Sequence, residues 1–133
     1  MAQSGIEVDG SLKEIFNQMK LQKHPIKLLV MGFSDDEKTV VQREADSVHG
    51  DCPIEKLHEY FSHEARKTDC CYALYDYEGK LILIKWAPDN AKAKKKMMTA
   101  STFAELKKVF DSIKYIEATD MDDLRKESLI KGK

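Results

Sequence analysis

The side chains best suited to bind a partner are four lysines beside a methionine. They stand at the start of a helix that the sequence predicts over residues 91–110, and they are Lys92, Lys94, Lys95, Lys96 and Met97. The helix dipole disfavours exposed cations in this position by about 0.3–1 kcal/mol each, so stability alone does not favour the arrangement. A run of charges is usually a solvated face, but the position and the adjacent thioether, which suits contact surfaces, favour an acidic partner.

Two other constellations could in principle support metal binding or catalysis. His58, Glu59 and His63 are similar to the helical zinc-protease motif, but the histidines are five residues apart and the motif needs four for both to share a helix face. Asp76 and Glu78 flank a predicted hairpin tip, where acids are commonly solvated. The sequence also has no glycine-rich phosphate loop and no nucleophile elbow. We therefore expect no catalytic activity, no metal and no cofactor.

Composition and charge indicate a single globular domain over residues 1–133, a length that can bury one core. The formal net charge of −1 argues against a general nucleic-acid binder, because the basic character is local. No apolar run is long enough to cross a bilayer, and the N-terminus lacks the pattern of a secretion signal. The cysteines Cys52, Cys70 and Cys71 are odd in number and are expected to be buried free thiols. We expect a cytoplasmic monomer.

Helices and strands alternate along the predicted chain. The elements, in order, are a flexible arm at 1–10, a helix capped by Ser11 with Glu14, strands at 26–33 and 38–44, a helix with Pro53 as its first residue, strands at 70–77 and 80–87, the long helix, a strand at 115–119 and a helix capped by Asp120. Glu78-Gly79 is a two-residue connection typical of an antiparallel hairpin. The order αββαββαβα favours an α/β (α+β) fold with one mixed sheet covered on both faces.

The long helix should have two different sides. Winding it at about 100° per residue gathers on one side Ala91, Met98, Thr99, Thr102, Leu106, Val109 and Phe110. That side can pack on the sheet. The opposite side carries Met97 and Ser101 among alanines, with Lys94 beside them. Asp89 or Asn90 is expected to cap the helix.

Three segments, taken together, form a specific pattern. Trp86-Ala-Pro-Asp-x-Ala is followed by Lys94-x-Lys96-Met97-x-x-Ala100-Ser101 on the long helix. Asp69-Cys70-x-Tyr72-Ala73-Leu74-Tyr75-Asp76 lies on a strand upstream, and Ser4-Gly5-Ile6 lies at the N-terminus. The combination covers nearly the whole chain and resembles the actin-depolymerising factor/cofilin family. That resemblance implies the ADF-homology fold, a five-stranded mixed sheet between two pairs of helices.

Members of that family bind actin monomers and filament sides, prefer ADP-bound subunits, and sever and depolymerise filaments. The resemblance implies a monomer-type site made of Ser4, Gly5, Ile6, Lys94, Lys96, Met97 and Ser101, with Thr102 placed to add a hydrogen bond. We expect Met97 to supply the desolvated centre of the contact, and the lysines to steer the protein onto acidic actin. Ser4 stands where many members carry a regulatory phosphoserine, which makes it a candidate for phosphorylation.

Two departures from the family pattern concern filaments. The hairpin before the long helix is extended and basic in many members, but here it shrinks to Tyr77-Glu78-Gly79-Lys80, which leaves Lys80 as its candidate contact. In the last helix, the candidate charged contacts are Arg125, Lys126 and Glu127. We expect strong binding of ADP-actin monomers, with weak filament binding and severing.

The basic helix start also allows a second interpretation. Phosphoinositides inhibit many family members by competing for the basic surface, and Lys92, Lys94, Lys95 and Lys96 could bind them. Each lysine near an anionic membrane contributes about 1 kcal/mol. The alternative function is therefore a phosphoinositide-binding module at a membrane surface, without a role on actin. A purely structural interaction module would bind neither actin nor lipid.

Overall fold

The structure, a computed structural model, describes residues 6–126 and residue 129. Its strands are β1 Glu7–Val8, β2 Ile26–Phe33, β3 Thr39–Gln42, β4 Val48–His49, β5 Cys71–Tyr77, β6 Lys80–Trp86 and β7 Lys114–Ala118. Its helices are α1 Gly10–Lys20, α2 Ile54–Ser62 and α3 Ala93–Val109, and short 3-10 turns cover Glu44–Asp46, Glu64–Thr68 and Met121–Leu124. None of the helices in the described ranges combines the length and apolar character needed to cross a bilayer.

One mixed sheet runs through the protein. Its strands lie in the order β1-β3-β2-β5-β6-β7, and β4 pairs with β2 beside this path. The central pairs β2–β5 and β5–β6 are antiparallel, whereas β1–β3 and β6–β7 are parallel. The expected five strands are corrected to seven. The two additional strands, β1 and β4, have two residues each, which is too short for an alternating pattern to reveal them.

Helices cover both faces of the sheet. On one face, α1 and α3 bury Leu12, Phe16, Met19, Phe103 and Leu106. On the other face, α2 buries Leu57 and Phe61 beside Leu124 and Leu129. Side chains of β5 alternate between the two cores, so the sheet is the middle of three layers. The predicted α/β (α+β) class, with helices on both faces, is confirmed.

The predicted flexible arm at residues 1–10 is corrected in its second half. Glu7 and Val8 form β1 and pair in parallel with β3. The Glu7 amide donates to the Lys38 carbonyl at 2.9 Å, and the Asp9 amide donates to the Val40 carbonyl at 3.0 Å. Pairing with a strand about 30 residues away satisfies these backbone groups. Residues 1–5 lie outside the described part of the chain.

Two helix starts also differ from the prediction. Asp9, rather than Ser11, caps α1, and its carboxylate accepts a hydrogen bond from the Ser11 amide at 2.9 Å. α3 begins at Ala93, because residues 88–91 form a turn in which the Ala91 amide donates to the Pro88 carbonyl at 3.0 Å. The predicted caps at positions 89 and 90 therefore belong to this turn. Lys92 takes the N-cap position, although its side chain has no acceptor to offer.

The ends of the other elements lie close to the predicted ones. Pro53 is the N-cap of α2 rather than its first residue. Asp120 does cap the next turn, with its carboxylate accepting from the Asp122 amide at 3.0 Å, but that turn has 3-10 geometry. The three cysteines are buried and free, as predicted. Burial raises the pKa of the Cys71 thiol to about 12, so this thiol stays protonated at neutral pH.

Candidate functional site

α3 has one buried side and one exposed side. Its buried residues are Thr99, Thr102, Phe103 and Leu106. On the opposite side the Met97 side chain is 73% exposed, and among the described residues only Leu21 is another large apolar side chain this open to solvent. Lys94 lies one helical turn before Met97, with 78% of its side chain exposed. The predicted two-sided helix is confirmed, and its outer side places an apolar group next to a cation.

Contacts with the rest of the fold fix α3 at its middle and at its C-terminal end. The Tyr72 hydroxyl of β5 donates to the Thr99 carbonyl at 2.6 Å, and the Tyr72 ring stacks on Phe103 with centroids 6.2 Å apart. Burial raises the pKa of Tyr72 far above its usual value, so the hydroxyl keeps its proton for this bond. At the C-terminal end, Lys13 of α1 donates to the Val109 carbonyl at 2.8 Å. The outer side of α3 therefore belongs to a helix held in a defined position.

Two of the four lysines at the start of α3 turn back toward the protein. Lys95 donates to the Glu37 carboxylate at 2.7 Å, and Lys96 donates to the Asp89 carbonyl at 3.2 Å. The ammonium of Lys94 lies 3.6 Å from the second oxygen of Glu37. The lysines therefore do not form one open cluster, and the first two of the run are its most exposed cations.

Thr102 is not available to a partner. Its side chain is 0% exposed and lies on the side of α3 that faces the sheet. Thr102 follows Met97 by five residues, which rotates it about 140° around the helix from the exposed methionine. The prediction that Thr102 adds a hydrogen bond to the site is therefore wrong. The helical winding itself could have shown this, because it placed Thr102 on the same side as Leu106.

The other predicted monomer contacts are described in part. Ser101 is half-buried, and its hydroxyl donates to the Met97 carbonyl at 2.9 Å. Ile6 is half-buried and packs against the core that α1 and α3 share, so it lies on the same face of the sheet as α3. Ser4 and Gly5 lie outside the described residues.

A second group of cations lies around the hairpin between β5 and β6. The hairpin turn is tight, with φ of 51° at Glu78 and 90° at Gly79, as its two-residue length predicts. Lys80 and Lys126 line one groove of about 400 Å³. Lys114 lines the same groove and was missed in the sequence, because only the parallel pairing of β7 with β6 places it opposite Ile82. The hairpin and Lys126 therefore lie at the same groove in the fold.

The other two residues of the predicted filament-type site are Arg125 and Glu127. Arg125 is exposed and forms an ion pair with Asp122 at 2.9 Å, and it does not line the groove. Glu127 lies outside the described residues.

The histidines that are similar to a zinc motif serve the fold. Nε2 of His58 lies 2.6 Å from the Leu124 carbonyl oxygen, and Nδ1 of His63 accepts a hydrogen bond from the Ala65 amide at 3.1 Å. His63 is the C-cap residue of α2, so it does not share a helix face with His58. Within the described residues, no group of three potential metal ligands comes together.

Known proteins share both the sequence pattern and the fold. Residues 5–132 match the sequence model of a family described as cofilin/tropomyosin-type actin-binding protein. A cofilin from Cryptococcus neoformans is 29% identical over 137 residues, covering 95% of this chain and 94% of that protein. A cofilin from Eremothecium gossypii is 26% identical over 141 residues, covering 98% and 93%.

Solved structures extend the likeness to three dimensions. The crystal structure of Streptomyces griseoflavus cofilin is similar with a TM-score of 0.77 at 25% identity, covering 96% of both chains. The solution structure of ADF from Toxoplasma gondii has a TM-score of 0.66 at 28% identity, covering 93% of this chain and 98% of that one.

These likenesses define the class of protein as an ADF-homology domain, whose mixed sheet lies between helices. Because the family sequence model spans nearly the whole chain, the chain belongs to the cofilin/tropomyosin-type actin-binding protein family. The resemblance found in the sequence is confirmed.

Proposed function

We propose that this protein binds ADP-actin monomers through the outer side of α3 and promotes filament depolymerisation in the cytoplasm, while it binds and severs filaments weakly. The observation that carries the proposal is the exposure of Met97 and Lys94 on a helix whose other side is buried. Methionine is flexible and polarizable and is frequent at adaptable binding surfaces, and a cation beside it suits an acidic partner.

The physical account assigns different roles to these side chains. Met97 would lose its water on docking and supply the apolar centre of the interface. Lys94 would lie at the rim, where it would accelerate association with an acidic surface. Lys96 must leave the Asp89 carbonyl to reach a partner, so its contribution should be smaller. Ser101, with Ser4, Gly5 and Ile6 of the N-terminal segment, completes the proposed monomer site.

Ser4 is also a proposed site of regulation. A phosphate there would add about two negative charges to a segment that the proposal assigns to the binding of an acidic partner. It would therefore weaken actin binding by repulsion.

We expect weak filament binding because the group of cations around the β5–β6 hairpin is small. The two-residue turn at Glu78 and Gly79 leaves little chain beyond the sheet to reach a second actin subunit. Lys80, Lys114 and Lys126 around the groove would offer charge without an extended loop. Exposed ion pairs contribute only about 0–1 kcal/mol each, which supports transient rather than stable decoration of filaments.

The test is a titration of fluorescently labelled ADP-actin and ATP-actin monomers, followed by co-sedimentation with preformed filaments. We expect tighter binding to ADP-actin than to ATP-actin, with little protein in the filament pellet at concentrations that saturate the monomers. Robust filament decoration would contradict the monomer preference. Binding to neither monomers nor filaments would contradict the actin function as a whole.

The phosphoinositide interpretation remains as the second candidate function, and the observation in its favour is the exposure of Lys92 and Lys94. A lipid surface gains from each additional lysine that reaches it. Because Lys95 and Lys96 already bind groups of the protein, we rank this function below actin binding. Flotation with liposomes, run beside the actin titration, separates the two.

A further inference from the structure

The turn between β2 and β3 is built to hold one carboxylate against α3. The Ser34 hydroxyl donates to the Asp36 carboxylate at 2.6 Å, and the same Asp36 oxygen accepts from the Lys38 amide at 3.1 Å. The Glu37 amide donates to the Ser34 carbonyl at 2.8 Å. Glu37 itself has a φ of 60°, a left-handed backbone that non-glycine residues adopt only when their surroundings impose it. The turn therefore fixes the direction in which Glu37 points.

Glu37 bridges two of the lysines at the start of α3. One carboxylate oxygen lies 2.7 Å from the ammonium of Lys95, and the other lies 3.6 Å from the ammonium of Lys94. The ammonium of Lys95 also stands 5.6 Å above the ring of Phe33, which adds a cation–π contact. The hydrogen bond from Lys95 is the main cause that lowers the pKa of Glu37, so the carboxylate is charged at neutral pH. Glu37 is 57 positions before Lys94 and 58 positions before Lys95 in the sequence, so these contacts exist only in the folded protein.

We propose that Glu37 is a specificity-determining residue, a built-in carboxylate that holds Lys95 and Lys94 and lowers the affinity of the basic helix start for anionic lipid surfaces. An anionic headgroup that approaches these lysines must displace a carboxylate already in place, and the negative charge of Glu37 repels it. A protein partner that docks on Met97 does not need Lys95, because Lys95 points toward the β2–β3 turn. Glu37 therefore favours the proteinaceous partner over the lipid. The inference rests on the proposed function for the identity of that partner.

The substitution that tests this role is Glu37→Gln, which keeps the size of the side chain and removes its charge. Asp35→Asn is the matched control, because Asp35 is exposed in the same turn and no ion pair joins it to a lysine in the described ranges. Both variants change the net charge equally, so a general charge effect would appear in both. Thermal melts of both variants establish that the fold is intact.

The lipid measurement uses flotation with phosphatidylcholine vesicles that contain phosphatidylinositol 4,5-bisphosphate. Releasing one or two lysines should tighten partitioning of Glu37→Gln about fivefold or more, with an effect below about twofold for Asp35→Asn. The gain should shrink when Glu37→Gln is combined with Lys95→Ala, because the released cation is then missing. Equal effects of the two single variants, or no vesicle binding by Glu37→Gln at all, would overturn the proposal.

The actin measurement keeps this inference separate from the proposed function. Glu37→Gln should bind ADP-actin monomers with an affinity within about twofold of the natural protein. The close partner of Glu37 is Lys95, which points away from the proposed contact, and the pair with Lys94 is exposed and long at 3.6 Å, so its loss has little effect. A gain for actin as large as the gain for vesicles would overturn the specificity role. If the natural protein binds no actin while Glu37→Gln still gains lipid affinity, the proposed function fails and the control of the lysines by Glu37 stands.

Discussion

Replacing Lys94 and Met97 together with alanine is expected to weaken binding of ADP-actin monomers about 100-fold, or about 2.7 kcal/mol. Truncation of an anchor at the centre of an interface typically costs about 2 kcal/mol or more, and Met97 is the exposed apolar group that can serve as one. Removing Lys94 takes a charge from the rim and should mainly slow association. Both side chains point away from the core, so the melting temperature should change by less than about 2 °C.

The matched control is Lys108→Ala on the last turn of the same helix. The Lys108 side chain is 75% exposed, and its ion pair with Glu105 is long at 3.6 Å. Its removal should change actin affinity by less than about twofold, because an exposed pair of this kind contributes little. Equal affinities of the double variant and the control, in a titration of labelled ADP-actin, would show that actin docks elsewhere. A large fall in the melting temperature of the double variant would show that these side chains support the fold instead.

Replacing Leu106 with alanine is expected to lower stability while leaving actin binding nearly unchanged. Leu106 lies on the inner side of α3 and is 0% exposed in the core shared with α1. Truncating a fully buried leucine removes its packing and leaves a cavity, which should lower the free energy of unfolding by about 3 kcal/mol. For a domain of this size, that loss corresponds to a melting temperature lower by roughly 10 °C. The folded protein should still bind ADP-actin within about threefold of the natural affinity, because its outer side is unchanged.

Urea unfolding followed by circular dichroism measures the first part of this prediction, and an actin titration well below the melting temperature measures the second. Lys108→Ala serves again as the control and should leave stability within about 0.5 kcal/mol. Unchanged stability of Leu106→Ala would mean that α3 does not depend on this core. A loss of actin affinity above tenfold while the protein is folded would mean that the two sides of α3 are not independent.

The sequence predicts the two sides of α3 well because their pattern is local. A helix rotates by a constant angle per residue, so the positions of Met97 and Leu106 follow from counting. The hairpin is equally local, since a two-residue connection between strands leaves few geometries for Glu78 and Gly79. Thr102 shows the limit of a resemblance: the winding placed it inside, and the buried side chain in the structure agrees with the winding.

The contacts that the sequence could not predict join distant parts of the chain. Lys95 in isolation belongs to a basic run, but the fold brings Glu37 to it from the β2–β3 turn. Strand β1 has only two residues, too few to show an alternating pattern, and it forms by pairing with Thr39, which lies more than 30 residues away. Lys114 joins the groove at the hairpin only through the parallel pairing of β7 with β6. In each case a tertiary interaction determines where the residue lies, and local propensity does not predict that interaction.

The central claim is that Met97 lies at the centre of the contact with actin. The most direct measurement is a methyl spectrum of the protein with labelled methionines, recorded before and after addition of ADP-actin monomers. The Met97 methyl should shift or broaden the most, while those of Met19 and Met31, which are buried in the core, should keep their positions. A complex that forms while the Met97 signal stays unchanged would contradict the account, because actin would then be docking on another surface.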